Sequence, residues 1–344
     1  MRTSFHATFT NKIEVYFVAY LTIINVRAKI MVTKRLLGVS EMALFAVSSD
    51  STCDLKKEYR ERRDVWFAPL TFTMEKDGVI EEGLDNFSSE EEYVQFYEKV
   101  SNGWFPRTAK LNYEAHIAHF TAMAKAGVKE VIHFMISSGL ANTVEITRQA
   151  AKDVEKLYPD FKVYPLDPLT ATAGQGMLTM LAADCRDKGW TAQETYEYLS
   201  EVRQRVQHCI IPTDLFYLKK GGRVSTVSAA FGTVLNIKPL IVFDEAGKLN
   251  VTEKNKGMKK SFSRVMEHMN RAPMDETKLV VVVHTNNPQG AEELATLIEK
   301  NTGVKPLVTI MGPVIGAHVG PGSVSCGWVS IKTRAQLQKE LYSE

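Results

Sequence analysis

Val131 to Ile136 is an almost unbroken apolar run of strand length, interrupted only by His133. A strand with one face in water alternates apolar and polar residues. A run without that alternation belongs to a sheet covered on both faces, and such sheets are largely parallel, with helices in the connections. Phe161 to Leu166 repeats the signature and ends in Asp167. Ala43 to Val47 is a shorter run followed by Ser48-Ser49-Asp50-Ser51-Thr52, a polar stretch suited to a turn. Val65 to Met74 reads as one further strand.

Helical patterns fall between these runs. Ser88-Ser89-Glu90-Glu91 is a capped start, with Tyr93, Phe96, Tyr97 and Val100 spaced for one face. Tyr113 to Lys125, Thr143 to Leu157 and Ala173 to Lys188 behave alike. Thr191 to Val206 opens on a threonine cap with Glu194 three residues later. Strands alternating with helices predict an α/β fold whose mainly parallel sheet is wrapped by helices.

Beyond residue 206 strand candidates become denser: Asn236 to Phe243, Lys248 to Glu253, Lys278 to His284, Pro306 to Ile310 and Ser323 to Ile331. Asp244-Glu245-Ala246-Gly247 suits a hairpin between the first two. With helices near Met258 to Met269 and Gly290 to Lys300, this predicts a second, smaller α/β domain with antiparallel strands. The expected division is 1–41 as an extension, 42–205 and 206–336 as domains, and 337–344 as a tail.

A chain of 344 residues accommodates two ordinary cores. A net charge of +2 argues against nucleic-acid binding driven by bulk electrostatics. Cys53, Cys185, Cys209 and Cys326 are too dispersed for a zinc knuckle or a redox pair, which predicts reduced thiols in a cytoplasmic protein. Ile13 to Val26 is apolar, but short of the ~20 residues of a membrane span, and no convincing cleavage site follows. The expectation is a poorly ordered or over-long start, with the working protein beginning near Met42 and no stable membrane insertion. A membrane-surface anchor is the alternative.

Three polar loops follow buried strands of the first domain: Ser48 to Thr52, Ser137-Ser138-Gly139, and Asp167 to Gly176. Ligands of parallel sheets bind outside the carboxyl ends of the strands, although such residues also serve simply as helix caps. No phosphate loop, nucleophile elbow or metal motif is present. In Gly312 to Gly322, His318 is surrounded by glycines that permit close backbone approach, and is either structural or a donor to a carboxylate. Thr213 to Ser225 carries Lys219, Lys220, Gly221, Gly222 and Arg223. It reads equally as a helix ended by glycines, with cations at its negative pole, or as a basic rim facing an anion or a partner.

Several of these segments together resemble the DegV family. Leu215 to Val224 running into Leu235-Asn236-Ile237-Lys238-Pro239-Leu240 is similar to its most distinctive stretch, and Gly312 to Gly322 to its closing motif. Asp50-Ser51 with Asp54-Leu55 resembles its opening motif, and Ile136-Ser137-Ser138-Gly139-Leu140 its central one. The matches run in the family's order over about residues 43 to 335. The resemblance implies a two-domain fold with a fatty acid in a tunnel between or within the domains. It implies no catalysis by this chain and no cofactor or metal, the fatty acid being a bound ligand. Some family members are the acyl-carrying subunit of a bacterial fatty acid kinase, whose separate kinase subunit phosphorylates the bound carboxylate.

The sequence departs from the family at the expected carboxylate site. Where the family has Thr-Ser-Gln-Pro, this chain reads Thr108-Ala109-Lys110-Leu111; the threonine that meets the carboxylate is kept. Where the family has Leu-Ser-Gly-Thr, it reads Leu140-Ala141-Asn142-Thr143, and the second contact, a serine, is lost at Ala141. Asn142, Ser138, Arg107 or Lys110 are the candidate substitutes. The leading expectation has Thr108, Ser138 and His318 around the head group, with Arg223 and the adjacent lysines near the mouth facing a kinase partner. The rivals are an enzyme acting directly on a lipid or small carboxylate, and a regulatory protein with an altered pocket.

Overall fold

In the computed structural model, which describes residues 44–213, 215–223 and 236–342, the chain forms three sheets. The extension 1–41, Asp214 and the part of the basic segment from Val224 to Leu235 lie outside the described residues. Strand β1 (Ala46–Asp50) and β2 (Val65–Ala68) pair in parallel. The chain then leaves that sheet for β3 (Thr71–Lys76), β4 (Val79–Leu84) and β5 (Phe105–Ala109), an antiparallel sheet of order β4-β3-β5. It returns with β6 (Glu130–Phe134) and β7 (Lys162–Leu166), giving a parallel sheet of order β2-β1-β6-β7.

The remaining strands are β8 (Val206–Ile211), β9 (Ile237–Phe243), β10 (Leu249–Lys256), β11 (Val280–His284), β12 (Leu307–Ile310) and β13 (Val324–Val329). They form one sheet of order β10-β9-β8-β13-β11-β12, antiparallel except between β11 and β12. The fold is therefore α/β, with a parallel sheet and a second sheet rich in antiparallel pairs, as the strand pattern implied.

Two local readings are corrected. The expected strand Val65 to Met74 is two strands in different sheets, because Pro69 has no N–H with which to continue a ladder. The second of these strands continues into a hairpin that the strand reading did not include, turning at Asp77-Gly78, whose φ values of 51° and 79° are those of a tight hairpin turn. The helix expected to reach Val206 stops at Val202, and Val206 instead opens β8, which is buried along its whole length. Gln207 and His208 within that strand mask its apolar character, and His208 stacks on Phe243 at 5.4 Å.

The Ala173–Asp187 helix lies between the two large sheets and is buried on nearly every side. Met177, Leu178 and Leu181 join Val47, Ile132 and Phe134 of the first sheet to Ile210, Ile241 and Val283 of the second in one core. The outer face of the first sheet carries the Tyr113–Lys125 and Val144–Leu157 helices over Trp66, Val131 and Val163. The outer face of the second carries the Gly257–Arg271 and Pro288–Thr302 helices over Val282 and Trp328. Arg334, fully buried, opens the Arg334–Tyr342 helix and donates to the carbonyls of Val206, Leu169, Asp244 and Arg203 at 2.8–3.0 Å. Those carbonyls come from both halves of the chain, so one side chain ties them together.

Candidate functional site

Asp50 organises the carboxyl end of the parallel sheet. It accepts the Ile136 N–H at 2.9 Å, the Thr52 hydroxyl and the Gln175 amide at 2.7 Å, and burial nonetheless raises its pKa. The Ser48–Thr52 loop expected for ligands is thus largely an internal brace. Ser48 itself stays within β1, bonded to His119 and His133 at 2.8 and 2.9 Å. Ser137 donates to Gly247 O at 2.8 Å and so docks the β9–β10 hairpin against the first sheet.

A second brace positions the Pro313–Val319 helix. Gly312 N–H donates to Asp54 Oδ1 at 2.7 Å, and the Tyr97 hydroxyl donates to Met311 O at 2.7 Å. Pro313 at the first helical position needs no N–H partner. The helix delivers His318 to β5, where His318 Nε2 and Thr108 Oγ1 are 2.9 Å apart. Gly221, ending the Phe216–Lys220 helix, packs on the same ring: a Cβ there would stand 2.3 Å from His318 Nδ1. Lys219 and Lys220 lie in the last turn of that helix, with Lys220 Nζ 3.4 Å from the centre of the Phe105 ring.

These elements enclose a cavity of about 620 Å³ between the carboxyl end of the parallel sheet and the inner face of the second sheet. Its volume is in the range typical of small-ligand sites. Leu70, Ile136, Leu140, Ile210, Phe243, Leu249, Met311, Ile315 and Val319 give it an apolar wall. Thr108, Lys110, Asn112, Asn142, Thr172, Arg223 and His318 contribute polar groups. Burial, with Arg223 adding to it, lowers the His318 pKa to about 4, so the imidazole is neutral at pH 7. Positive charge at the wall comes from Lys110 and Arg223. Lys110 Nζ donates to Asn142 O at 2.9 Å, which joins β5 to the loop after β6.

Of the residues singled out from the sequence, Thr108, Asn142, Arg223 and His318 line this cavity together, as does Ala141. Ser138 is exposed and is not among the lining residues; its N–H donates to Asp167 at 3.2 Å. Arg107 points to Glu75 at 3.5 Å, also away from the lining set. No sequence motif pointed to Asn112, or to Phe243 and Leu249, which the hairpin folds over the cavity. Thr172, within the Asp167 to Gly176 loop expected at the site, lines the cavity with an unusual backbone: φ 46° for a buried β-branched residue, held by its N–H to Thr52 O at 2.7 Å. Such conformations cluster at ligand sites. Among the described residues no group of three His, Cys, Asp or Glu side chains is arranged to hold a metal, and no helix is long and apolar enough to cross a membrane.

A protein-family model described as "Uncharacterised protein, DegV family" matches residues 44–330. The chain belongs to the DegV family. A DegV domain-containing protein of Clostridium perfringens is 30% identical over 288 residues, covering 83% of this chain and 97% of that one. DegV of Bacillus subtilis, a fatty acid binding protein of known crystal structure, is 28% identical with a TM-score of 0.65, covering 84% of this chain and 99% of that one. A DegV lipid binding protein of Thermotoga maritima is 26% identical with a TM-score of 0.72 over the same shares.

Proposed function

We propose that this DegV protein binds a long-chain fatty acid in the cavity, with the carboxylate against Thr108 and His318, and presents it to a separate kinase subunit in the cytoplasm. The observation that carries this reading is the union of an apolar wall with the Thr108–His318 pair in one cavity. Each buried methylene contributes about 0.8 kcal/mol, a gross stabilisation on the order of 10 kcal/mol for a long acyl chain. Ordering the chain reduces the net. The carboxylate needs donors once out of water, and Thr108, with Lys110 and Arg223 close by in the wall, supplies them. The Bacillus subtilis and Thermotoga maritima relatives bind fatty acid and lipid respectively, which supports the same ligand class here. Lys219, Lys220 and Arg223 suit a partner that approaches the carboxylate end. Under this reading the chain holds and delivers a substrate, and the phosphoryl chemistry belongs to the partner.

Mass spectrometry of the full chain purified without added lipid, under native and then denaturing conditions, tests the binding. The expected result is a fatty acid that appears only on denaturation. A chain that is empty, and stays empty after incubation with mixed fatty acids, would remove the proposal. Phosphorylation of the bound acid by an added fatty acid kinase catalytic subunit, dependent on this chain, tests the delivery.

A further inference from the structure

Ile210 faces the ligand cavity from β8, and its neighbour Cys209 projects from the opposite face into the core under the Gly257–Arg271 helix. In the pairing of β8 with β13, Cys209 stands directly opposite Cys326. Opposed residues of an antiparallel pair share a face, with Cα atoms roughly 4.5–5.5 Å apart. A disulfide spans Cα separations of roughly 4.4–6.8 Å. Both thiols are free and fully buried.

Cys209 also has a base beside it. Its sulfur is 3.7 Å from His268 Nδ1, and Nε2 of that ring is 2.9 Å from Glu253 Oε1. Two bonds of 2.7 Å from Arg264 and one of 2.8 Å from the Tyr342 hydroxyl fix the Glu253 carboxylate. Burial opposes a charge on His268, but Cys209 and Glu253 outweigh it and raise the pKa to about 9. Sulfur, imidazole and carboxylate thus stand in the order of an activated nucleophile. The chain of contacts ends at Tyr342, exposed on the last helix. Among the described residues Cys326 has no base of this kind beside it, and burial pushes its thiol up.

We propose that Cys209 and Cys326 form an oxidation site for a peroxide, with Cys209 the attacking sulfur and Cys326 the resolving one. His268 takes the Cys209 proton. The thiolate attacks one peroxide oxygen, the O–O bond breaks, and the His268 proton leaves with the other oxygen as water. The Cys326 sulfur then displaces the hydroxyl from the Cys209 sulfenic acid, its own proton completing a second water. Two thiols are oxidised by two electrons and one peroxide is reduced. The product ties β8, a wall of the cavity, to β13.

The test is brief exposure of the folded full chain to hydrogen peroxide, then alkylation in denaturant and peptide mapping. The expected product links the Cys209 and Cys326 peptides, while Cys53 and Cys185 remain alkylated. His268→Gln should slow its formation by about a hundredfold. The wild-type protein alone decides the pairing, because its four cysteines compete within one molecule. Loss of Cys53 or Cys185 at the same rate, or Cys209 oxidised with Cys326 still alkylated, overturns the proposal. An unchanged rate in a folded His268→Gln protein overturns the role of the base.

Discussion

Thr108 and His318 are separated by 210 positions and meet at 2.9 Å in the cavity wall. Thr108 arrives on a strand of the small antiparallel sheet, His318 on a helix braced by Asp54 and Tyr97. The imidazole is neutral at pH 7, its pKa lowered to about 4 chiefly by burial. With its proton on Nε2, the ring donates to Thr108 and frees that hydroxyl to donate to an anion. The pair therefore offers a directed hydrogen bond rather than a charge.

Thr108→Val keeps the shape of the side chain and removes the hydroxyl. Affinity for a long-chain fatty acid is expected to fall about tenfold, ~1.4 kcal/mol, the size of one hydrogen bond to a charged group. Titration with a fluorescent fatty acid measures it, and a thermal melt of the same sample verifies the fold. Unchanged affinity takes Thr108 out of the site.

Gly221→Ala addresses the same pair from the other side. Gly221 has φ −76°, so alanine suits its backbone. The new methyl would nevertheless stand 2.3 Å from His318 Nδ1. The ring must shift, and the Thr108 bond with it. The expected result is a loss of affinity of about tenfold, comparable to Thr108→Val. The double variant should be little worse than either single one. Additive losses would show that Gly221 and Thr108 act on separate features.

The α/β architecture was legible because Val131 to Ile136 and Phe161 to Leu166 are apolar throughout, and because Ser89 and Thr191 open their helices with capping boxes that the structure contains. β8 was hidden for a physical reason. A strand buried on both faces tolerates Gln207 and His208 where tertiary partners satisfy them, as Lys332 O does for Gln207 at 2.9 Å. No local pattern encodes that. At the site, the motifs marked which segments matter, but Lys110 bonding to Asn142 O and the hairpin closing over the cavity depend on long-range contacts. Asp50 and Ser137 stand out in the sequence as readily as Thr108 does, yet they brace loops rather than line the cavity.

Asp85 gives a pH-dependent expectation. It is 4% exposed, and burial raises its pKa from 3.8 to about 7 against the Ser51 and Val314 hydrogen bonds that favour the charged form. The folded state holds this proton more tightly than the unfolded chain. Its contribution is therefore fully present below pH ~3.8 and is lost as pH rises through ~7. Asp85→Asn keeps an acceptor without the charge. Its melting temperature should exceed the wild-type value by roughly 5 °C at pH 8, and the gap should narrow as pH falls below ~7 and close only below pH ~3.8. Buried His116 and His208, with pKa values lowered by desolvation to about 4 and about 3, shift stability the other way in both proteins and cancel in the difference. A gap independent of pH would mean that Asp85 is not the titrating group.

Ala141 lines the cavity beside Asn142, and its N–H is fixed to Ser137 O at 3.1 Å. At this position the resemblance implies a serine whose hydroxyl would be the second contact to the carboxylate. Ala141→Ser adds that donor to a backbone already held in place, so little ordering cost opposes it. Affinity for a long-chain fatty acid should rise about fivefold, ~1 kcal/mol, in the fluorescent titration. The gain should shrink in the Thr108→Val background if both hydroxyls hold the same carboxylate, because the two contacts are then coupled. Unchanged affinity in Ala141→Ser would point instead to Lys110 or Asn142 as the group that meets the head. Lys110→Met would then carry the loss expected of a missing charge, and that loss would grow as the salt concentration is lowered.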